Sequence, residues 1–552
     1  MSVPKIKKEV APDKDTLSPP EKFLNRIEKF KSNELIIGLA FPLGTTTTGI
    51  SDSIRNYFKL QDYSIKEFKV SQLILETMDN LVPAEKRRMF LESIDRKPED
   101  LLFDKYNEFQ RINNLQLAGN FIREQYEPAT LAQLAIRKIA SDRMERARPQ
   151  YEEYTTSNPD ENIALSQFSV SSKYIPDKTV YILNSLKNPA EAEILKAVYG
   201  DIFYLIGAIQ SRNERVANLK GRIILPNKTP DEIKILAEEL EERDRKQSDD
   251  HEQQLDKTLN ACDFFLSVKK GQDPAYVDKE IKRFLDLVHG VGVFTPTKDE
   301  YGMYIAYSAG LGSACMSRQV GASISDEKGN IISTGCNDVP KFKGGLYIAS
   351  DEDDQRCFKD GAFCRNDNEK RRIKSNIEAA LGASSVLYDE LVDKIFKDAR
   401  IKDLIEFSRA VHAEMEAIVS LSRRGDGACQ GATLYTTTFP CHNCARHIVA
   451  AGIGRVIFIE PYDKSLALEL HEDSITRDGE ANKLPFDHFT GVSPVKYADL
   501  FKATDARKDS DGKFTGFSRK SSERSMTYLE SYRDLEQRTN IHLNESGLSL
   551  DH

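Results

Sequence analysis

Two short motifs, His412-Ala413-Glu414 and Pro440-Cys441-His442-Asn443-Cys444, limit the fold of this chain more than any other feature. Thiolate and imidazole are ligands that zinc prefers, and a catalytic zinc keeps three protein ligands and one open position. Two cysteines separated by two residues in the first turn of a helix point at one ion, and the helix N-terminus favours their thiolate form. His412 supplies a third donor from the start of a second helix, so the fold has to bring two helix starts to one point. Glu414 lies close enough to reach a water molecule there without being a ligand, and a carboxylate so placed shuttles the water's proton. A structural zinc would call for a fourth cysteine or histidine and would have no use for Glu414 or Pro440. His442 and His447 are alternative ligands, although the spacing of His447 from Cys444 turns it towards the surface.

The surrounding texture is α/β. The helix RAVHAEMEAIVSL is followed by the strand ATLYTTTF, the helix PCHNCARHIVAAG and the strand RVIFIEPY. Upstream lies an apolar helix, DEYGMYIAYSAGLGSACMSRQ, and then two strands flanking a hairpin turn at residues 327–330. A polar insertion, residues 341–400, carries a helix at 376–397. These elements form one domain, residues 291–504. An earlier domain, residues 31–290, opens with ELIIGLAF, the nearly continuous apolar run of a strand buried on both faces. The turn-forming PLGTTTTGIS and the helix SDSIRNYFKL follow. Strands at 178–183 and 201–208, with the helix AEAEILKAVYG between them, make a βαβ unit, and 261–268 adds a further strand to a parallel sheet. The charged stretch 209–260 reads as exposed helices and loops. Residues 1–30 lack apolar periodicity and read as a flexible arm. Residues 505–552 read as a polar, weakly ordered tail with one short helix near 526–537.

Composition removes several classes of function. No run approaches the roughly 18 apolar residues of a membrane helix, and the N-terminus lacks the apolar stretch of a secretory signal. Eight cysteines among 552 residues make no disulfide scaffold, so a reducing cytoplasm is the expected setting. With 78 Lys and Arg against 87 Asp and Glu, the net charge is -9, which argues against a protein that coats nucleic acid backbone. Cys357 and Cys364 in the insertion are unpaired thiols, a second metal site or a redox pair.

The H-x-E and P-C-x-x-C pair, in this order of helices and strands and with Gly335-Cys336-Asn337-Asp338-Val339-Pro340 after the second strand, resembles the cytidine/deoxycytidylate deaminase superfamily over about residues 300–501. The resemblance implies an α/β/α domain, one Zn2+ held by His412, Cys441 and Cys444, and Glu414 as the catalytic acid and base. It implies that Asn337 contacts a sugar hydroxyl, that the backbone around Ala413 and Pro440 holds the pyrimidine edge, and that Tyr462 lies beside the nucleotide. Arg318, Lys464 and His471 are candidates for the phosphates. An acidic chain without tryptophan suits a free nucleotide better than a polynucleotide. Editing of RNA or single-stranded DNA is one alternative, and a non-catalytic nucleotide sensor is another.

The earlier domain resembles the P-loop nucleotide kinases. Gly44-Thr45-Thr46-Thr47-Thr48-Gly49-Ile50-Ser51 has the G-x-x-x-x-G-K-[ST] spacing between a strand and a helix, where amides and a helix start cradle an anion. Ile50 replaces the lysine, and Asn184 stands where a magnesium-holding aspartate is expected. The domain is therefore expected to bind or sense a second nucleotide rather than transfer phosphate. With the segments VYILNSLKNPAEAEILKAVYGDIFYLIGA, SRQVGA, HAEMEAI, FPCHNCARHIVAAGI and FTGVSPVKYADLF, the chain is similar over about residues 34–502 to bacterial anti-phage dCTP/dCMP deaminases. That similarity implies conversion of dCTP or dCMP to the deoxyuridine nucleotide, depleting the pool during infection. A homo-oligomer is expected, and a regulatory RNA or protein partner stays open.

Overall fold

The computed structural model describes residues 32–95, 107–159, 161, 163–171, 174, 176–245, 249–269, 271–359, 361, 363–381, 386–401, 404–425, 429–462, 465–503, 507–508, 510–514 and 529–548. The expected arm, residues 1–30, lies outside them, as does Lys464. Among the described residues no helix is long and apolar enough to cross a membrane.

The first sheet is built from β1 (Glu34–Ala40), β2 (Ser64–Lys69), β3 (Thr179–Asn184), β4 (Phe203–Ile209) and β5 (Phe264–Ser267). Their order is β2-β3-β1-β4-β5, all parallel. β1 runs through the centre and is buried along its whole length, which explains why its sequence is apolar without alternation. The edge strand β2, SIKEFK, has no such signature. It is half-buried, Lys66 pairs with Asp142 at 3.0 Å and Glu67 accepts from Asn184 at 3.2 Å; charged side chains of this kind are a usual protection of a sheet edge. β1 leads outward to β2 while its neighbour β3 leads across to β4. A crevice therefore opens beyond the carboxyl ends of these two strands.

The second sheet comprises β6 (Gly321–Ser325), β7 (Ile331–Cys336), β8 (Thr433–Thr438), β9 (Arg455–Glu460), β10 (Ile475–Thr476) and β11 (Leu484–His488). Its order is β10-β11-β9-β8-β6-β7. The hairpin β6–β7 and the pair β6–β8 are antiparallel, and the remaining pairs are parallel. Alternate residues serve two cores. Leu434, Val456 and Phe458 pack with the helices Ala413–Arg424 and His442–Ala450. Tyr435, Ile457 and Ile459 join Met303 and Ala306 in a core continuous with that of the first sheet. The period-two pattern thus gives the sheet one face for the motifs and one face for the neighbouring domain.

Several expectations need correction. The apolar helix spans Lys298–Gly310 and stops there. A Cβ on Gly310 would lie 2.9 Å from the backbone nitrogen of Gly321, so the chain packs too tightly against β6 for the helix to run on to residue 319. The insertion holds two helices, Arg365–Leu381 and Val386–Asp398, where one was expected at 376–397. The charged stretch 209–260 is partly a packed unit. Helices Arg212–Arg222 and Pro230–Arg245 bury Val216, Leu219, Ile223, Ala237 and Leu240 against Ile112.

The chain also returns to the first sheet after leaving the second. β12 (Gly491–Val492) pairs antiparallel with β5. The tail, expected to be weakly ordered, carries the helix Leu529–Glu545, packed on the helix Thr130–Ser157. Its Tyr532 hydroxyl donates to Glu34 at 2.7 Å. Glu536 faces Arg143, which reaches Glu34 at 2.8 Å on its other side, and all three side chains are buried. Removing one partner of a buried ion pair typically costs about 3–5 kcal/mol. Because Glu34 remains, Glu536→Ala is expected to lower stability by about 3 kcal/mol. The denaturant midpoint of the unfolding transition checks this, and an unchanged midpoint would mean that the tail helix contributes nothing.

Candidate active site

His412 and Cys441 each occupy the N-cap position of a helix, Ala413–Arg424 and His442–Ala450 respectively. The two helix starts meet. His412 Nδ1 lies 3.4 Å from Cys441 Sγ and 3.3 Å from Cys444 Sγ. The three donor atoms all fall within 4.8 Å of one another. The Cys444 amide donates to Cys441 Sγ at 3.4 Å, the contact a thiolate at a helix N-terminus makes. Glu414 is 4% exposed, and the Cys444 thiol donates to its Oε2 at 3.5 Å. Two sulfurs and one imidazole nitrogen in a buried cluster suit zinc. His442 is turned to Glu406 at 3.8 Å and His447 to the Asn443 carbonyl at 2.6 Å, so neither belongs to the donor set.

The convergence depends on close backbone approach. β7 presses against the helix that begins after His412, and a Cβ on Gly335 would lie 2.4 Å from the Ala413 carbonyl oxygen and 2.5 Å from the Ala417 nitrogen. Ser333 on the same strand donates to the Ala417 carbonyl at 2.6 Å. The segment just before His412 is held by Asp338, whose carbonyl accepts from the Val411 amide at 2.9 Å. The buried Asp338 carboxylate in turn accepts from the amides of Ala314, at 2.9 Å, and Val339, at 2.8 Å.

Charge is shared tightly. The hydrogen bond from Cys444, and then His412, pull the Cys441 thiol down to about 4. The bond to Cys441 pushes His412 up to about 9. Cys444 is pushed up by that same sharing with Cys441 and by burial. Burial raises the Glu414 carboxyl above the usual range, which suits a group that must hold a proton part of the time.

A cavity of about 310 Å³ opens onto this cluster. His412, Ala413, Glu414, Cys441, Asn337, Tyr462 and Arg318 line it. The Asn337 amide is already engaged, accepting from the Val320 amide at 2.7 Å and donating to the Arg318 carbonyl at 2.9 Å. It shapes the 318–320 wall. Pro440 and His471 do not line the cavity, and the Pro440 carbonyl accepts from Ser465 at 2.7 Å. The insertion supplies wall residues that its sequence did not announce: Asn366, Asp367 and Lys370, from the first turns of the helix Arg365–Leu381. Cys357, Cys364 and Cys315 carry no disulfide and line a smaller space of about 30 Å³ nearby.

The glycine- and threonine-rich loop of the first domain follows a turn that is already hydrogen-bonded in part. Three amides of its turn are already matched: Leu43 by Asp244 at 2.8 Å, Thr45 by the Pro42 carbonyl at 3.1 Å, and Thr46 by Gln210 at 2.9 Å. Gly44 has φ of +85°, and a Cβ there would meet the Arg215 carbonyl at 2.4 Å. Gly44, Thr45 and Thr47 face a cavity. Thr48, Gly49, Ile50 and Ser51 belong to the helix Thr48–Lys59. Ile50 is 2% exposed in the apolar core, a position where a lysine would be buried.

Residues 296–460 match the model of the cytidine and deoxycytidylate deaminase zinc-binding region. The deoxycytidylate deaminase of Enterobacteria phage T4 is 32% identical over 164 residues, which are 30% of this chain and 78% of that protein. The deoxycytidylate deaminase of Saccharomyces cerevisiae is 29% identical over 167 residues, 30% of this chain and 39% of that one. Among solved structures, dCMP deaminase from the cyanophage S-TIM5 in complex with dCMP and dUMP is 18% identical, with 36% of this chain and 99% of that chain covered and a TM-score of 0.21.

Two substitutions test the geometry. Cys441→Ala is expected to abolish a zinc content of about one per chain, from the three-ligand arrangement. Gly335→Ala is expected to displace the helix start, lowering stability by about 1–3 kcal/mol, as overpacking does, and lowering zinc content with it. Atomic absorption and thermal melting read both. Full zinc occupancy in Gly335→Ala would show that the close approach is not needed.

Proposed function

The chain belongs to the cytidine and deoxycytidylate deaminase family, and from that premise we propose that it hydrolyses the amino group of a deoxycytidine nucleotide, dCMP or dCTP, to leave the deoxyuridine nucleotide and ammonia. The observation that carries the reading is the meeting of His412, Cys441, Cys444 and Glu414 at one end of a single cavity. His412, Cys441 and Cys444 hold Zn2+, which when bound supplies Lewis-acid activation of water.

The remaining work falls to side chains. Glu414 takes a proton from the attacking water and delivers it to ring N3 as the oxygen adds to C4. It then passes the second proton to the departing amino group, so one water is consumed and one ammonia leaves. Its burial favours this exchange, because a carboxyl whose proton affinity lies nearer neutrality both accepts and donates readily. Ala413 and Phe439 offer the ring an apolar surface, and Asn337 fixes the 318–320 wall. Arg318 and Lys370 are cations on the cavity wall and suit the phosphate. The floor of the cavity is buried and one wall comes from the insertion, which favours a free nucleotide over a polymer strand. Depletion of the deoxycytidine nucleotide pool, as an antiviral defence, is the role proposed for the reaction.

Ammonia release from the full-length protein, measured with dCMP, dCTP, CMP, CTP and a cytosine-containing single-stranded oligonucleotide, tests the proposal. A deoxycytidine nucleotide is expected to be the fastest substrate, and activity confined to the oligonucleotide would refute the free-nucleotide reading. Glu414→Gln is expected to retain zinc and lose about 10²- to 10⁴-fold in rate, the usual contribution of a general acid–base group. Arg318→Ala is expected to raise KM with little change in kcat, because it removes binding common to the ground state and transition state.

A further inference from the structure

Arg477 sits where the two domains meet, on the turn that follows β10. Thr476 Oγ1 closes that turn by accepting from the Asp478 and Glu480 amides, at 3.1 and 3.5 Å. The turn is tied to the first domain, because Asn213 Nδ2, on the helix Arg212–Arg222, donates to Asp478 Oδ2 at 2.9 Å. Arg477 itself makes no ion pair among the described residues. Arg215 and Arg245 of the first domain stand close enough to repel it, and they are paired with acids of their own, Glu241 and Asp256. The Arg477 guanidinium lies instead over two rings, 5.9 Å from the centroid of Phe439 and 5.3 Å from that of Phe458. A cation within about 6 Å of a ring centroid is attracted by the negative face of the ring.

Phe439 immediately precedes Pro440 and Cys441. It is buried, and it lines the cavity that opens onto the histidine and cysteine cluster. Its amide donates to the Glu460 carbonyl at 2.7 Å, which fixes the backbone but leaves the ring to be set by its neighbours. The ring meets Phe458 edge-on, with centroids 4.9 Å apart and planes at 88°, and Phe486 at 5.5 Å and 60°. Edge-to-face contacts of this kind orient a ring. Both of these partners belong to the second sheet. Arg477 adds a third contact, and through Asp478 and Asn213 that contact reaches the first domain.

We infer that Arg477 is a positioning residue for the second domain's cavity: it holds the Phe439 ring in the wall against which the pyrimidine lies, and the first domain holds Arg477 in place through Asn213 and Asp478. The identity of the ligand rests on the deaminase reading; the placement of the ring does not. The first domain is then part of what shapes the substrate site. Arg477 touches neither the zinc ligands nor Glu414, so its removal acts on substrate binding and leaves proton transfer and metal in place.

Steady-state kinetics of the zinc-loaded full-length chain with dCMP and dCTP test it. Arg477→Met, which keeps the length of the side chain and removes its charge, is expected to raise KM about 3- to 10-fold, the weight of a partly exposed cation over two rings. Zinc content is expected to stay at the parental level and kcat within about two-fold of it, because the contact acts on ground state and transition state alike. Arg477→Lys, which keeps a cation over the rings, is expected to recover most of the loss, and Asn213→Ala to raise KM in the same direction. A second readout needs no substrate. The chain has no tryptophan, so Phe439→Trp puts a single indole at this place. Adding Arg477→Met is expected to shift its emission maximum and increase its quenching by acrylamide, and Arg477→Lys is expected to do neither. If the emission moves in this way while the parent turns over no deoxycytidine nucleotide, the deaminase reading fails and the placement of the ring by Arg477 stands. An emission indifferent to Arg477→Met, or equal KM in the parent and in Arg477→Met, overturns the inference. An unchanged KM in Asn213→Ala overturns the link to the first domain.

Discussion

Two helices have to begin at the same point, and most of the second domain is arranged to let them. A helix start carries unpaired amides and a partial positive charge, so bringing two together is unfavourable unless something negative lies between them. Here the Cys441 sulfur, which accepts from the Cys444 amide, supplies it, with the Glu414 carboxyl beside it. The approach is possible because Gly335 carries no side chain where the helix Ala413–Arg424 crosses β7. Asp338 then fixes the strand that delivers His412, through its backbone bond to Val411. The same contacts that stabilise the packing therefore help to set the chemistry: thiol, imidazole and carboxyl lie together where the backbone of β7 closes on that of the helix.

The second sheet ties this site to the rest of the molecule. Its alternating residues place Leu434, Val456 and Phe458 behind the cysteine helix and Tyr435, Ile457 and Ile459 in the core of the neighbouring domain. The boundary between the domains is sealed by polar contacts as well. Arg283 grips the buried Glu300 with bonds of 2.8 and 2.6 Å, and Glu300 accepts the Val492 amide at 2.8 Å. Ser493 donates its amide to the Asp263 carbonyl at 2.9 Å, and Asn213 donates to Asp478 at the same distance. Arg477 lies over the rings of Phe439 and Phe458, 5.9 and 5.3 Å from their centroids, so the wall of the zinc-ligand cavity continues towards the first domain.

The parts of this structure that were legible in the sequence are those where chemistry or burial leaves few choices. The donor spacing of Cys441 and Cys444 and the offset from His412 to Glu414 identify the cluster, and ELIIGLAF has the apolar run that only a central parallel strand requires. Polar segments were opaque for the opposite reason. Lys66 and Glu67 of β2 sit on a sheet edge, and Asn366, Asp367 and Lys370 form a cavity wall, yet in sequence they look like any solvated stretch. The tail helix was misjudged because its burial rests on Tyr532, Arg533 and Glu536, of which two are charged and need Arg143, Glu34 and the Tyr174 carbonyl to go inside. The surroundings of the 44–51 loop were opaque for a third reason: Asp244 and Gln210, which accept from the Leu43 and Thr46 amides, lie far along the chain.

In the proposed reaction, water activated beside Glu414 replaces the amino group at C4 of a deoxycytidine nucleotide. Incubation of the zinc-loaded chain with dCMP and dCTP in H₂¹⁸O, followed by mass spectrometry of the product, tests it most directly. A deoxyuridine nucleotide carrying ¹⁸O at C4 is expected, with one ammonia released for each product formed. Failure of both nucleotides to turn over, or a deoxyuridine product without the label, would contradict it.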